Sequence, residues 1–265
     1  MGKLPHFDWR VWGVTRLAKD WGKHKKGTPA RPTIRIRSID GEPIRFEPPR
    51  LQSLSFNLAI TAANEANRLK KEISVYQMSS GIKKVSEDDL VKLYDYFEHC
   101  LITVTFCYQA LETYSNYIIA RNLKNHYPLK RIKCGKEVTQ YLDVKELQRF
   151  VSTDEKLGAI LPEILHIKTP KRTKLWEPYK NLKKIRDAVV HVKTYQMSPE
   201  HVMSANDEEK NTILFLLYRC NPKKIVDDTF KLVEYFSLAI DEKRWSDQIH
   251  TIMNSDDPED RYYDY

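Results

Sequence analysis

Glycine is scarce in this chain. Only 8 of its 265 residues are Gly, and the motifs GxGxxG, GxxxxGK[ST] and GxSxG are absent. Doubly wound nucleotide-binding folds, β-sandwiches and propellers use glycine at their turns, and phosphate loops and nucleophile elbows depend on those motifs. The scarcity argues against these classes. With 41% hydrophobic residues to fill a core, it predicts a mostly helical protein.

The sequence also lacks long apolar runs and closely spaced cysteines. No window reaches the roughly 18 apolar residues of a transmembrane helix, and the N-terminus is charged and aromatic where a signal peptide is apolar. The 4 cysteines include no CxxC pair, and Cys100 and Cys107 fall on nearly the same face of a predicted helix. We therefore predict a cytoplasmic protein without membrane association, disulfide framework or zinc site.

Positive charge is unevenly distributed. The chain has 44 Lys and Arg against 36 Asp and Glu, a net charge of +8. Residues 1–50 carry twelve basic and five acidic residues, residues 168–184 are also basic, and residues 256–264 are acidic. Basic surface attracts polyanions, so nucleic acid is a candidate partner. The alternative is an ordinary helical surface that needs lysine and arginine for solubility.

Residues 1–50 show no helical period and are predicted to form a basic extension. Apolar and basic residues alternate over 33–37 and again over 44–46, on the two sides of Asp40-Gly41. This pattern is typical of a β-hairpin. At the other end of the chain, residues 246–265 are predicted to form an acidic, disordered tail.

Residues 51–245 have a helical period and are predicted to form a bundle. A first helix is expected to end near Met78. A second, from about Leu90 to Leu123, is expected to be the spine of the bundle, roughly 50 Å long at 1.5 Å per residue. The fold class is therefore predicted as all-α, a helical bundle with long central helices plus a small N-terminal β-hairpin.

Shorter helices are expected after the spine. They are predicted over about 144–150, 152–166, 175–192 and 221–245. Ser86 with Asp89 and Ser152 with Glu155 match helix start signals. The apolar run 213–218 fits either a strand or a buried turn, and its period does not decide between them.

The helix predicted over 175–192 separates apolar from polar positions. At about 100° per residue, its core face carries Leu182, Ile185, Ala188, Val189 and Val192. Its polar face carries Lys180, Lys183, Lys184, Arg186, Asp187 and His191. Asp187 and His191 are four residues apart and are expected to meet, and a carboxylate on one imidazole nitrogen makes the other more basic. Such a His beside an Arg suits RNA cleavage, because Arg holds the phosphate and His moves the ribose 2′-OH proton.

The segment Arg186-Asp187-Ala188-Val189-Val190-His191 resembles the R-x4-6-H motif of the HEPN superfamily, and residues 108–117 are similar to the second long helix of such domains. The resemblance covers residues 51–245 and implies a helical, often dimeric, metal-independent ribonuclease without a cofactor. It implies that Arg186 and His191 are the catalytic pair and that Asp187 is their polar helper. Glu112 is carried over as an acid near the cleft, and the lysines of the polar face are expected to bind the nucleic acid.

The resemblance also implies partners and an alternative. Proteins of this family cleave RNA to a 2′,3′-cyclic phosphate in toxin–antitoxin and phage-defence systems, so RNA, a second copy of the chain and an antitoxin or defence protein are the expected partners. Other members lack the motif and serve as scaffolds or sensors, which is the alternative function. A second match to the motif, Arg121 to His126, lies at the predicted end of the long helix. We favour the Arg186 copy because three apolar residues separate Asp187 from His191.

Overall fold

The computed structural model describes residues 7–8, 10, 15–17, 19–20, 22–30, 33–79, 81, 83–133, 135–191, 213–240, 249, 253 and 262–263. The chain divides into two compact units, Met1–Ser55 with Glu242–Tyr265, and Phe56–Asp241. Most of the described chain is helical, and the strands form only small antiparallel pairs. The prediction of a mostly helical protein with a long central helix is thereby confirmed.

The described strands are short. They are β1 (Phe7–Asp8), β2 (Thr15–Arg16), β3 (Pro29–Ala30), β4 (Ile34–Arg37), β5 (Pro43–Phe46), β6 (Val75–Gln77), β7 (Lys83–Val85), β8 (Tyr127–Lys133), β9 (Lys136–Leu142) and β10 (Tyr262–Tyr263). Within the first unit, β1 pairs with β10, β2 with β3 and β4 with β5. The pair β4–β5 is the hairpin predicted around Asp40-Gly41, with Ile36 opposite Ile44. Gly41 has a φ of +85° at its turn, which glycine adopts without strain.

Two residues near the end of the chain form a strand. Residues 246–265 are predicted to be disordered, but Tyr262–Tyr263 form β10 and pair antiparallel with Phe7–Asp8. Two consecutive aromatic residues favour extended backbone, in keeping with this short strand. Most of the remaining tail lies outside the described residues.

The described helices account for most of the second unit. They are α1 (Leu51–Glu72), α2 (Leu90–Asn122), α3 (Val144–Phe150), α4 (Thr153–Glu155), α5 (Leu161–Ile164), α6 (Trp176–Val190), α7 (Ile213–Arg219) and α8 (Pro222–Ser237). A π-helical stretch, Lys156–Ile160, joins α4 to α5, and 3₁₀ turns span Glu87–Asp89 and Pro170–Arg172. The run left open between strand and turn is helix α7.

Helix α2 is the centre of the second unit. It contacts each helix from α3 to α8, most extensively α8. Between α2 and α8, the Tyr114 hydroxyl lies 2.7 Å from the Ser237 hydroxyl, which itself donates to the Val233 carbonyl at 3.0 Å. Tyr114 and Ser237 are completely buried. A buried hydroxyl pair with satisfied hydrogen bonds fixes the register of the two helices, because any slip leaves polar atoms unpaired.

Two hairpins of the second unit were not predicted. Helix α1 ends at Glu72 rather than near Met78, because Val75–Gln77 pairs with Lys83–Val85. Strands β8 and β9 pair from Tyr127–Leu142 at one end to Lys133–Lys136 at the other. The turn between them contains Gly135, with a φ of +76°. Alternating β-formers on both sides of a Gly were the missed signal.

The hydrogen bonds at the start of α2 are made by the Asp89 side chain and not by the predicted Ser86 side chain. The Ser86 side chain makes no capping hydrogen bond. Instead, the Asp89 carboxylate accepts from the Ser74 backbone N–H at 2.8 Å and pairs with the Lys92 ammonium at 2.7 Å. These two contacts tie the end of the segment after α1 to the start of α2. The Lys92 hydrogen bond, followed by the Ser74 amide, lowers the pKa of Asp89 from 3.8 to about 2.

We expect Asp89→Asn to remove part of the acid sensitivity of the fold. Because the folded pKa is the lower one, the stabilisation by the Asp89 carboxylate is complete above pH 3.8 and disappears as the pH falls through about 2. The variant should be less stable than the wild type at pH 7, and the difference should vanish near pH 2. Urea denaturation across this range measures it, with the exposed Asp88→Asn as control. A constant difference at all pH values would contradict the assignment.

Candidate nucleic-acid interface on helix α6

Helix α6 forms one wall of the second unit. Its buried positions, Trp176, Tyr179, Leu182 and Ile185, recur every three residues and face the neighbouring helices. Ala188 and Val189 are half-buried, as predicted for the core face, whereas Val190 is 52% exposed on the polar side. Val192, the last residue assigned to the core face, lies outside the described residues.

The Arg186 side chain is held in place from two directions. Its guanidinium carbon lies 4.3 Å from the centre of the Tyr108 ring on α2. Its Nη1 donates to Asp187 Oδ1 at 2.9 Å. A guanidinium over an aromatic face is attracted by the ring quadrupole. The side chain is still 28% exposed, so Arg186 is a fixed cation that remains open to solvent.

Tyr108 belongs to an aromatic column formed by Tyr108, Tyr179 and Trp176. The Tyr108 and Tyr179 rings are stacked, with centroids 6.5 Å apart, and the Tyr179 and Trp176 centroids are 4.7 Å apart. The Tyr179 hydroxyl donates to Asp154 Oδ1 at 2.7 Å, and burial, reinforced by this bond, raises the Tyr179 pKa. The aromatic column connects α2, α4 and α6, and its Tyr108 ring packs against the Arg186 guanidinium.

A second cation contacts the aromatic column at its Trp176 end. The Lys171 ammonium lies 5.7 Å from the centre of the Trp176 ring. The Lys171 side chain passes beside Gly158 in the π-helical stretch. A Cβ at position 158 would overlap Lys171 Cε and come within 3.0 Å of Trp176 Cη2. Alanine at position 158 would therefore displace the end of the flexible Lys171 side chain and press on the Trp176 ring.

The predicted contact between the Asp187 and His191 side chains is not among the contacts of the described structure. The Asp187 carboxylate pairs with Arg186 at 2.9 Å and with Lys183 at 3.6 Å. His191 contacts Asp187 through the backbone, where its N–H donates to the Asp187 carbonyl at 2.9 Å. The reason is that α6 ends at Val190 and His191 is its exposed C-cap, with φ −114° and ψ 48°.

The three lysines assigned to nucleic-acid binding lie on the outside of α6. Lys180 pairs with Glu177 at 2.9 Å, Lys183 pairs with Asp187, and Lys184 is exposed. Glu177 and Asp187 lie on the same side of α6 as these lysines. The net positive charge of this surface is therefore smaller than the number of lysines suggests. The preceding segment adds exposed cations at Lys168, Lys171, Arg172 and Lys174.

Glu112 lies one helical turn beyond Tyr108 on α2 and is half-buried. Its charge acts on Lys156, which is only 1% exposed and donates from Nζ to the Gln148 carbonyl at 2.9 Å. Burial lowers the pKa of Lys156, and Glu112 opposes this shift. The described contacts therefore connect Glu112 with a buried lysine. They do not connect it with Arg186 or His191.

We expect Glu112→Gln to destabilise the fold by about 1 kcal/mol, the scale of one charge pair in a partly exposed setting. The reason is that the buried Lys156 ammonium would lose a compensating carboxylate. Thermal or chemical denaturation measures the change. The exposed Glu98→Gln on the same helix is the control and should leave stability unchanged. Loss of RNA cleavage at unchanged stability would instead support the cleft role that the family resemblance implies.

The second motif copy has similar local geometry. Arg121 lies in the last turn of α2, where its Nη1 donates to the Tyr117 hydroxyl at 2.8 Å. Helix α2 ends at Asn122, so His126 is in the exposed link before β8. Both copies thus place the histidine beyond the end of a helix, His191 by one residue and His126 by four. What distinguishes the Arg186 copy is the aromatic column beneath its arginine.

Two further structural findings concern membrane spans and metal sites. Within the described ranges, no helix has the length and apolar character needed to cross a membrane. No group of three or more His, Cys, Asp or Glu side chains with a metal-binding arrangement occurs among the residues that the structure describes.

Compared with known proteins, the chain matches no family model, no curated protein and no solved structure.

Proposed function

We propose that this chain is a metal-independent endoribonuclease of the HEPN type, with Arg186 and His191 as its catalytic pair. The observation that carries the proposal is the fixed but exposed Arg186 guanidinium, held over Tyr108 and paired with Asp187. It lies on a helix that displays lysines outward and ends at an exposed imidazole. A preorganised guanidinium binds phosphate with little loss of side-chain entropy.

The proposed reaction is a transfer within the RNA backbone. Arg186 binds the scissile phosphate, and the neutral His191 imidazole removes the proton of the adjacent ribose 2′-OH. The 2′ oxygen then attacks phosphorus, and the 5′ oxygen leaves with a proton. The products are a 2′,3′-cyclic phosphate and a 5′-OH, and the residues of this chain that carry the reaction are Arg186 and His191.

A homodimer completes the proposed enzyme. Two α6 helices facing one cleft would supply a second imidazole that protonates the leaving oxygen, which a single general base does not provide. In line with the family resemblance, we place the enzyme in the cytoplasm, in a toxin or phage-defence role with an antitoxin or another defence protein as partner.

The test is incubation of the purified full chain with cellular RNA in EDTA. We expect fragments with 2′,3′-cyclic phosphate and 5′-OH ends, identified by kinase labelling of the new 5′ ends without prior phosphatase treatment. The double variant Arg186→Ala/His191→Ala, checked by circular dichroism, should produce none. Intact RNA after prolonged incubation with the wild type would refute the proposal.

The second candidate is a non-catalytic RNA-binding scaffold or sensor of the same fold. It is favoured by the Asp187 carboxylate, which pairs with Arg186 and Lys183. No contact among the described residues joins this carboxylate to the His191 side chain, whose tautomer it would fix. This candidate predicts RNA retention without cleavage, equal in the wild type and His191→Ala. Affinity should fall steeply with added salt, because phosphate contacts release counterions.

A further inference from the structure

The two faces of the β4–β5 hairpin differ in chemistry. Successive side chains of a strand point to opposite faces, so the register of this pair assigns each side chain to one of them. The apolar face consists of Ile34, Ile36, Ile44 and Phe46. The opposite face, which we call the arginine face, carries Arg35, Arg37 and Arg45, and all three are exposed. The hairpin thus displays three guanidinium groups to solvent on one side.

Two arginines of this face are direct neighbours across the strands. Arg35 lies opposite Arg45, and the Cβ atoms of directly opposite residues are about 5 Å apart. Like charges in such a pair repel each other and destabilise the sheet, and a two-stranded pair has little stability of its own. An anion bound between the two guanidinium groups would replace this repulsion by attraction.

The described acids leave the arginine face positively charged. Among the residues that the structure describes, no carboxylate forms an ion pair with an arginine of this face. Asp40 and Glu42 are exposed in the turn between the two strands. Glu47, which follows β5, is half-buried and already has an interaction partner. The hairpin therefore has its negative charge at the tip and its positive charge along one side.

A cavity opens beside two of the arginines. It has a volume of about 480 Å³ and is lined by Arg35, Ile36, Arg37, Gly41 and Pro43. Arg35 and Arg37 are two residues apart on β4, which separates them by roughly 7 Å along the strand. This separation is comparable with that of successive phosphates in a nucleic-acid strand. The planar guanidinium group binds phosphate oxygens through two parallel hydrogen bonds, so two neighbouring arginines suit two neighbouring phosphates.

Hydrogen bonds in the turn hold the two strands in this register. The Ser38 N–H donates to the Glu42 carbonyl at 2.8 Å, and the Gly41 N–H donates to the Ser38 carbonyl at 3.0 Å. The Ser38 hydroxyl accepts from the Glu42 N–H at 3.1 Å. The backbone positions of the arginines are therefore set before a ligand binds, which lowers the entropy cost of binding.

A nucleic-acid strand fits the arginine face better than a lipid surface does. A flat anionic membrane would contact the whole hairpin, including the exposed Asp40 and Glu42, which anionic headgroups repel. A single nucleic-acid strand is narrow enough to contact the arginine face alone. We propose that the β4–β5 hairpin binds the phosphodiester backbone of single-stranded RNA through its three arginines, without reading the base sequence. The choice of RNA rests on the proposed function of the chain.

The experiment measures binding in the absence of cleavage. The full chain carrying Arg186→Ala/His191→Ala is titrated into fluorescein-labelled oligouridylate, and the anisotropy is followed at several salt concentrations. Adding Arg35→Gln/Arg37→Gln/Arg45→Gln should weaken binding by roughly 10–10²-fold at low salt, the scale of three exposed charge pairs. The slope of log K against log salt concentration should become shallower by about 2, at roughly 0.7 for each phosphate contact on a single strand.

A stability measurement separates lost contacts from a damaged fold. Because the triple arginine variant lacks the repulsion between Arg35 and Arg45, its melting temperature should equal or exceed that of the parent protein. The matched control is Lys130→Gln/Lys136→Gln/Lys145→Gln, which removes the same charge from exposed positions on β8, β9 and α3. This control should bind oligouridylate almost as tightly as the parent protein.

Three results would each overturn the proposal. The first is a triple arginine variant with the affinity and salt slope of its parent, and the second is an equal loss of affinity in the triple lysine control. The third is binding to phosphatidylserine vesicles without binding to oligouridylate, which would assign the arginine face to a lipid surface. The proposed reaction is tested separately, because a chain that cleaves RNA but fails these binding tests loses only the role of the hairpin.

Discussion

Alanine at position 191 is expected to lower the rate of RNA cleavage by about 10²–10⁴-fold, the usual contribution of a general base. The fold should be unaffected, because the His191 side chain is exposed and its described hydrogen bond is made by the backbone. The measurement is the initial rate of cleavage of a defined RNA in EDTA, at equal protein concentration and with matching circular dichroism. Binding of an uncleavable 2′-deoxy analogue should remain close to that of the wild type.

His126→Ala is the matched control for this experiment. His126 is also exposed, lies four residues beyond the end of α2, and belongs to the second copy of the motif. We expect its cleavage rate to equal that of the wild type. If His126→Ala loses activity and His191→Ala keeps it, the catalytic motif is the Arg121 copy and the assignment to α6 is wrong.

Arg186→Lys is expected to lose about 10²-fold in cleavage rate even though it keeps the positive charge. A lysine ammonium does not reproduce the planar fork that binds two phosphate oxygens, and it stacks less well on Tyr108. The loss of stability should be about 1 kcal/mol or less, the scale of one cation–π contact. Cleavage rates and urea denaturation of the same protein preparation separate the two effects.

The control for Arg186→Lys is Arg149→Lys on α3. The Arg149 guanidinium also lies over an aromatic ring, 5.2 Å from the centre of Phe150, but it is exposed and lies on another helix. This variant should cleave RNA at the wild-type rate. Full activity of Arg186→Lys would show that position 186 contributes only charge, which would contradict the bidentate phosphate contact assigned to Arg186.

Local sequence patterns predicted the helices more successfully than the links between them. The apolar period of α2 was sufficient because a 33-residue helix repeats its signal many times. The β6–β7 hairpin was missed because its strands have only three residues each. The β8–β9 hairpin was missed because charged residues interrupt the apolar alternation of its seven-residue strands. The Ser86 start signal matched by residue type, but the Ser86 side chain makes no capping hydrogen bond, and the Asp89 carboxylate contacts Ser74 and Lys92 instead.

The candidate site was also predicted only in part from the sequence. The helical projection at about 100° per residue correctly separated the buried Leu182 and Ile185 from the polar side of α6. It did not anticipate that Asp187 would pair with Arg186 and Lys183, because periodicity gives a face and not a choice of partner. The stacking of Arg186 on Tyr108 joins residues 78 positions apart. No local pattern contains that information, although Trp176 and Tyr179 at helical spacing hinted at an aromatic surface.

Gly158 differs from the other described glycines. Five of them, at positions 22, 27, 41, 81 and 135, have positive φ and open space where a side chain would stand, whereas Gly158 is helical and tightly enclosed. The space above its Cα is filled by the Lys171 side chain. A Cβ at position 158 would therefore push the end of the Lys171 side chain away from the Trp176 ring. Alanine at position 158 is expected to weaken the contact between this cation and the ring more than the packing of the helices.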